Sequence, residues 1–145
     1  ILSVINMFNF KLGRCRNTLK QSFSDCFDPL KDELGTVPTQ LHTDKHVCAC
    51  MIAVCDAYAA HMGIKKIQSV AIITDAAFEE IFRREATQVL IQTDQWKDDN
   101  DQEFTHSYQA ALAQVNQSLA NNDLQLDWLQ DYLVNHFERS RNLML

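Results

Sequence analysis

At 145 residues the chain has the length of one ordinary domain, and 46% apolar against 22% charged residues put it in the globular range rather than the disordered one. Three glycines and two prolines are too few for the turns of a β-rich domain or for loops that cradle phosphate, so they predict an all-helical chain. The net charge of −6 is uneven: residues 1–69 carry eight Lys and Arg against six Asp and Glu, residues 70–145 five against thirteen, and so acidic a second half sets nucleic acid aside as a partner.

Ile1, Val4, Ile5, Phe8, Leu12, Cys15, Leu19, Phe23 and Cys26 recur at three- and four-residue steps, the stripe of an amphipathic helix. The apolar opening ILSVINMFNF therefore reads as helix rather than as a secretory leader, which would need a basic n-region and a small-residue cleavage site. Lys11, Arg14, Arg16 and Lys20 form its wet face, and Asp28 and Pro29 close it because a residue before proline is pushed out of the α region. Gly35 and Pro38 mark a connection to a second helix, which begins near Thr39 or Thr43 and runs to Met62, with Gly63 as its left-handed stop. The centre of that helix, VCACMIAVC, is apolar for nine positions, and a helix apolar all round is a buried one.

The pattern stays helical through Ile67, Val70, Ala77, Phe78, Ile81, Phe82, Ala86, Val89 and Leu90. The β-branched run VAIIT at 70–74 predicts a break, with a short helix before it and a longer one from Thr74 or Asp75. Glu79 and Arg83, like Glu80 and Arg84, are i, i+4 pairs on a solvated face. The polar run KDDNDQ, 97–102, reads as a loop that places carboxylates at the positive N-terminal end of the next helix. That helix carries Phe104, Tyr108, Ala111, Leu112, Val115 and Leu119 and stops at Asn121 and Asn122, and Asp123 is placed to cap the last helix, with Leu126, Leu129, Leu133 and Phe137 as its stripe. The expectation is a single domain over residues 1–145: an all-α bundle of five or six helices around a buried central helix at about 43–62. No run reaches the roughly 18 apolar residues of a membrane span, and no membrane partner is expected.

Chemistry is hard to place on such a chain. GxSxG, GxxxxGK[ST] and GxGxxG are all absent. The stretch HTDKHVCACMIAVCDAYAAH, 42–61, concentrates three histidines and three cysteines. His42 and His46, four apart on a helix, put both imidazoles on one face about 6 Å apart by rise. The HExxH metalloprotease pattern is missing because Thr43 stands where its Glu would be. Glu103 and His106 make one ExxH unit, whereas carboxylate-bridged di-metal bundles need two. His42, His46, Glu103 and His106 are thus the candidate metal ligands, and no cofactor is expected. Cys48 and Cys50 point about 200° apart, and Cys48 and Cys55 stand about 10 Å apart along the axis, so neither pair grips one ion and the cysteines read as small hydrophobes. Cys48 and His46, two apart, face away from each other and do not form a nucleophile–base pair.

An odd number of cysteines without disulfide spacing points to a reducing, cytoplasmic setting. With no catalytic loop and with apolar residues beyond one stripe per helix, among them Leu2, Phe10, Trp128 and the tail Leu143, Met144 and Leu145, the first functional expectation is a non-enzymatic protein that binds another protein or itself, as a homodimer for instance. The second is a bundle that takes a small ligand or metal between helices, lined by Tyr58, Phe78, Phe82 and Tyr108 and gated by His42, His46 or His106. A third, a transcriptional regulator, lacks a suitable recognition helix because only the first helix is basic.

Overall fold

The computed structural model describes residues 2–140, with side chains from Met7 onward, so the predicted contributions of Ile1, Leu2, Val4 and Ile5 and of the tail 143–145 lie outside the described side chains. The described residues form six α-helices: α1 (Leu2–Phe27), α2 (Lys45–His61), α3 (Ile67–Phe82), α4 (Ala86–Asp98), α5 (Gln102–Leu119) and α6 (Asp127–His136). They make an all-helical bundle, with no strand among the described residues.

The helix α2 occupies the middle. Every residue from Val47 to Cys55 is buried, as the absence of a polar face predicts, and α5 lies along it most extensively while α3 packs on another side. Asp44 starts α2 by accepting a hydrogen bond from the Val47 N–H at 2.8 Å. Gly63, at φ 78°, ends it: the Ile64 N–H reaches Ala59 O at 2.8 Å, the Gly63 N–H reaches Ala60 O at 3.0 Å, and Ile64 turns its side chain into the core. The same closure ends α4 and α5 with asparagine in the left-handed position, Asn100 at φ 52° and Asn122 at φ 57°.

Around α2, α3 bridges α1 and α4, and α6 lies against α1 and the short 3-10 helix Asp28–Leu30. Gln130 Nε2 donates to Cys26 O at 3.1 Å and so satisfies a carbonyl at the end of α1. Beyond α6 the chain is tied back to the same corner, with the Ser140 N–H on Leu30 O at 2.9 Å and Arg139 Nε on Lys31 O at 2.7 Å. Buried residues of all six helices form one continuous core.

Three local expectations are corrected. The run VAIIT does not break the chain: α3 continues from Ile67 to Phe82, with Ile73 wholly buried, because β-branched residues cost a helix only tenths of a kcal/mol and packing outweighs that. The break comes at Arg83 instead, whose backbone sits at φ 53°, ψ −119°, a conformation that ordinarily falls to glycine. The loop at 97–102 shrinks to Asp99–Asp101, since α4 runs on to Asp98, although Asp101 does cap α5 through the Phe104 N–H at 3.0 Å. Asp123 does not cap α6; it accepts from Gln125 Nε2 at 2.7 Å, and Leu126 holds the capping position without a side-chain bond.

Candidate functional site

The proposed metal ligands are dispersed. His42 lies in the 3-10 helix Thr39–Thr43, and the extended Asp44 separates it from α2, so it does not share a helical face with His46. Its ring stands edge-on to Phe82 at 5.3 Å. The ring of His46 instead turns toward α5 and α6: Nδ1 is 2.9 Å from Ser107 Oγ, Nε2 is 3.5 Å from Cys50 Sγ, and the ring packs on Tyr132 at 4.1 Å. Hydroxyl and thiol can each give or take a hydrogen bond, so the neutral imidazole is served in either tautomer and keeps no nitrogen free for a metal. Glu103 is exposed, 4.0 Å from Lys45 Nζ, and His106 is exposed on α5. Among the described residues no three His, Cys, Asp or Glu side chains are placed to hold an ion.

The aromatic pocket is not assembled either. Phe78 and Phe82 are buried against each other at 5.6 Å, which makes them core rather than lining. Tyr58 stacks on His61 at 6.2 Å, and Tyr108 Oη donates to Asp56 Oδ2 at 2.8 Å across the α2–α5 contact. Burial, and after it that bond and the charge of Asp56, push the Tyr108 hydroxyl well above its ordinary pKa. None of the clefts between Ser22 and Gln130, Pro38 and Ser140, Thr39 and Gln92 or Ile52 and Lys97 is lined by any of these four side chains.

The pair that sequence reasoning passes over is His46 and Cys50, four apart on α2 and therefore on one face. A histidine touching a cysteine is the beginning of a nucleophilic site, but the chemistry does not follow. Cys50 is fully buried, and burial, reinforced by Asp44, pushes its thiol up to about 12, while burial also lowers the His46 pKa. The thiol stays protonated and the imidazole neutral. Burial raises the others likewise, Cys15 to about 11 and Cys26 and Cys48 to about 12. All five cysteines are buried and unbonded to one another, as small hydrophobes in the core. A ladder of three rings, His46, Tyr132 and His136, with 4.1 Å between successive centroids, fastens α6 to α2.

Surface features carry more. Among the described side chains the buried stripe of α1 begins at Cys15, and one turn or more before it Met7 and Phe10 are 71% and 67% exposed. With Arg14 they fall at i, i+3 and i+7, on the side away from Cys15, Leu19 and Phe23, and the Arg14 guanidinium lies 5.8 Å over the Phe10 ring. Phe8, on the neighbouring face, takes Lys66 Nζ at 5.6 Å. Across the α2–α3 junction, Ile67 is 84% exposed at the mouth of a cleft of about 400 Å³ between α2, α3 and α4. Ile52, Val70 and Leu90 make the cleft apolar, Asp56, Asp75 and Asp94 line it from three different helices, and Lys65 and Lys97 at its rim leave the carboxylates in excess by one. Comparison with known protein families, with curated proteins and with solved structures finds no match to this chain.

Proposed function

We propose that the chain is a non-enzymatic helical protein that acts by associating with protein, itself included, through the outer face of α1. The observation that carries this reading is the exposure of Met7 and Phe10 on a helix whose other side is already anchored in the core. Burying two such side chains is worth about 1.5–3 kcal/mol each, enough to drive association when a complementary surface is offered. Five buried thiols, none bonded to another, support a reducing, cytoplasmic setting as part of this reading. No described helix is long and apolar enough to cross a membrane. Light scattering over a concentration series is the test. The native chain is expected to grow from monomer toward dimer with concentration, and the Met7→Ser/Phe10→Ser variant to remain monomeric. A native chain that stays monomeric throughout, or a variant that associates as the native chain does, overturns the reading.

A further inference from the structure

We infer that the surface receiving the α1 face is the acidic cleft between α2, α3 and α4 of a second copy of this chain, with Met7 and Phe10 seated on its apolar lining and Lys11 and Arg14 opposite Asp75 and Asp94. The inference rests on the association reading above and adds to it the place where the partner copy is engaged.

Charge complementarity selects this occupant. The first 24 residues contain four Lys and Arg and no Asp or Glu, so the α1 face carries cationic side chains beside its apolar ones and no acidic one. Two such faces repel, which disfavours α1 pairing with α1. The cleft lies largely in the acidic half of the chain, and Asp75 and Asp94 are held in no ion pair among the described residues. Burial lifts both carboxyls above the ordinary aspartate range, with Glu79 adding to the rise at Asp75, and with Asp98 and Asp75 adding to it at Asp94 against the opposing charge of Lys97, so a further cation brought against them relieves a cost that the free bundle carries. The apolar lining matches the apolar part of α1: Ile52, Val70 and Leu90 offer a floor, with the exposed Ile67 at its edge.

The topology excludes the same contact within one molecule, since Phe8, Leu12 and Cys15 face the bundle and the Met7–Phe10–Arg14 side faces out. Both surfaces flank the α2–α3 junction: Lys66 covers Phe8 of α1, while its neighbours Lys65 and Ile67 line the cleft. Two copies related by a two-fold axis can therefore make the contact twice.

Charge exchange tests the contact. In one variant the helix is reversed, Lys11→Glu with Arg14→Glu; in the other the cleft is reversed, Asp75→Lys with Asp94→Lys. All four side chains are exposed, so both variants are expected to fold, which circular dichroism checks. By light scattering each variant alone is expected to associate roughly tenfold or more weakly than the native chain. An equimolar mixture of the two is expected to recover association, because each reversed surface then meets its opposite. Association that survives cleft reversal but is lost when Met7 and Phe10 are replaced overturns the cleft while leaving the α1 reading in place, and a mixture no stronger than its components overturns it equally. Helix reversal that leaves the oligomeric state alone but abolishes sedimentation with phosphatidylserine-containing phosphatidylcholine vesicles would make α1 a membrane-surface helix and also overturn the proposal.

Discussion

Histidine is where single residues matter most in this protein. His42 and His46 are both half-buried, and burial lowers both pKa values, opposed by Glu85 at His42 and by Asp44 and Glu103 at His46, with His136 adding to the lowering there. A folded pKa below the unfolded one means that the unfolded chain takes up the proton first, so the contribution to stability is complete above the ordinary histidine pKa and lost as pH falls through and below it. Thermal unfolding followed from about pH 7.5 to about pH 5.5 is therefore expected to show a falling midpoint, and a His42→Gln/His46→Gln variant a shallower fall. Equal slopes in the two proteins would contradict the assignment. The sequence places His42 and His46 four apart and suggests a shared face, but one extended residue, Asp44, divides a 3-10 turn from an α-helix and sends the rings to different neighbours. Only the i, i+4 partner inside α2, Cys50, was within reach of sequence geometry.

The helices themselves were largely legible, because each pairs a 3.6-residue apolar period with a stop signal of known chemistry. Gly63, Asn100 and Asn122 end three helices in the same hydrogen-bonded way, and their residue types announce it. Arg83 does not announce its role. It holds φ 53°, ψ −119° while Nη1 donates to Leu34 O at 2.7 Å, its guanidinium lying against Gly35, so the turn between α3 and α4 is fastened to the loop after α1. That bond offsets the backbone strain, which for a residue with a Cβ is of order 1–3 kcal/mol. Two substitutions separate the effects. Arg83→Ala loses the bond and keeps the strain, and is expected to cost about 1 kcal/mol in urea unfolding. Arg83→Gly loses the bond but relieves the strain, and should be more stable than the alanine variant by about 1 kcal/mol. A glycine variant no more stable than the alanine one would remove the strain argument. The missed continuation of α3 through VAIIT has the opposite cause, a local propensity that the buried Ile73 overrides.

At the scale of the whole molecule, one core built around α2 accounts for the behaviour expected of the cysteines. At about pH 8 a thiol held at about 12 is ionised in roughly one part in ten thousand, against roughly a quarter for a free thiol. In the native protein none of the five is expected to react rapidly with an aromatic disulfide reagent, and all five should react once guanidinium unfolds the chain. Rapid native reaction at Cys50 would reopen the His46 pair as a chemical site. The same core leaves the Met7–Phe10–Arg14 side of α1 exposed, and the cleft stands across the α2–α3 junction from it.

The sequence alone determined the helical class and the buried centre of α2, the first from the scarcity of glycine and proline together with a 3.6-residue apolar period, the second from a run with no polar face. Tertiary structure alone decided that Phe78 and Phe82 are core, that Tyr108 meets Asp56, that His46 lies between Ser107 and Tyr132, and that Met7 and Phe10 stay exposed. Those outcomes depend on which helix lies across which, over separations of fifty residues and more, and a period read along one helix carries no information about its neighbour.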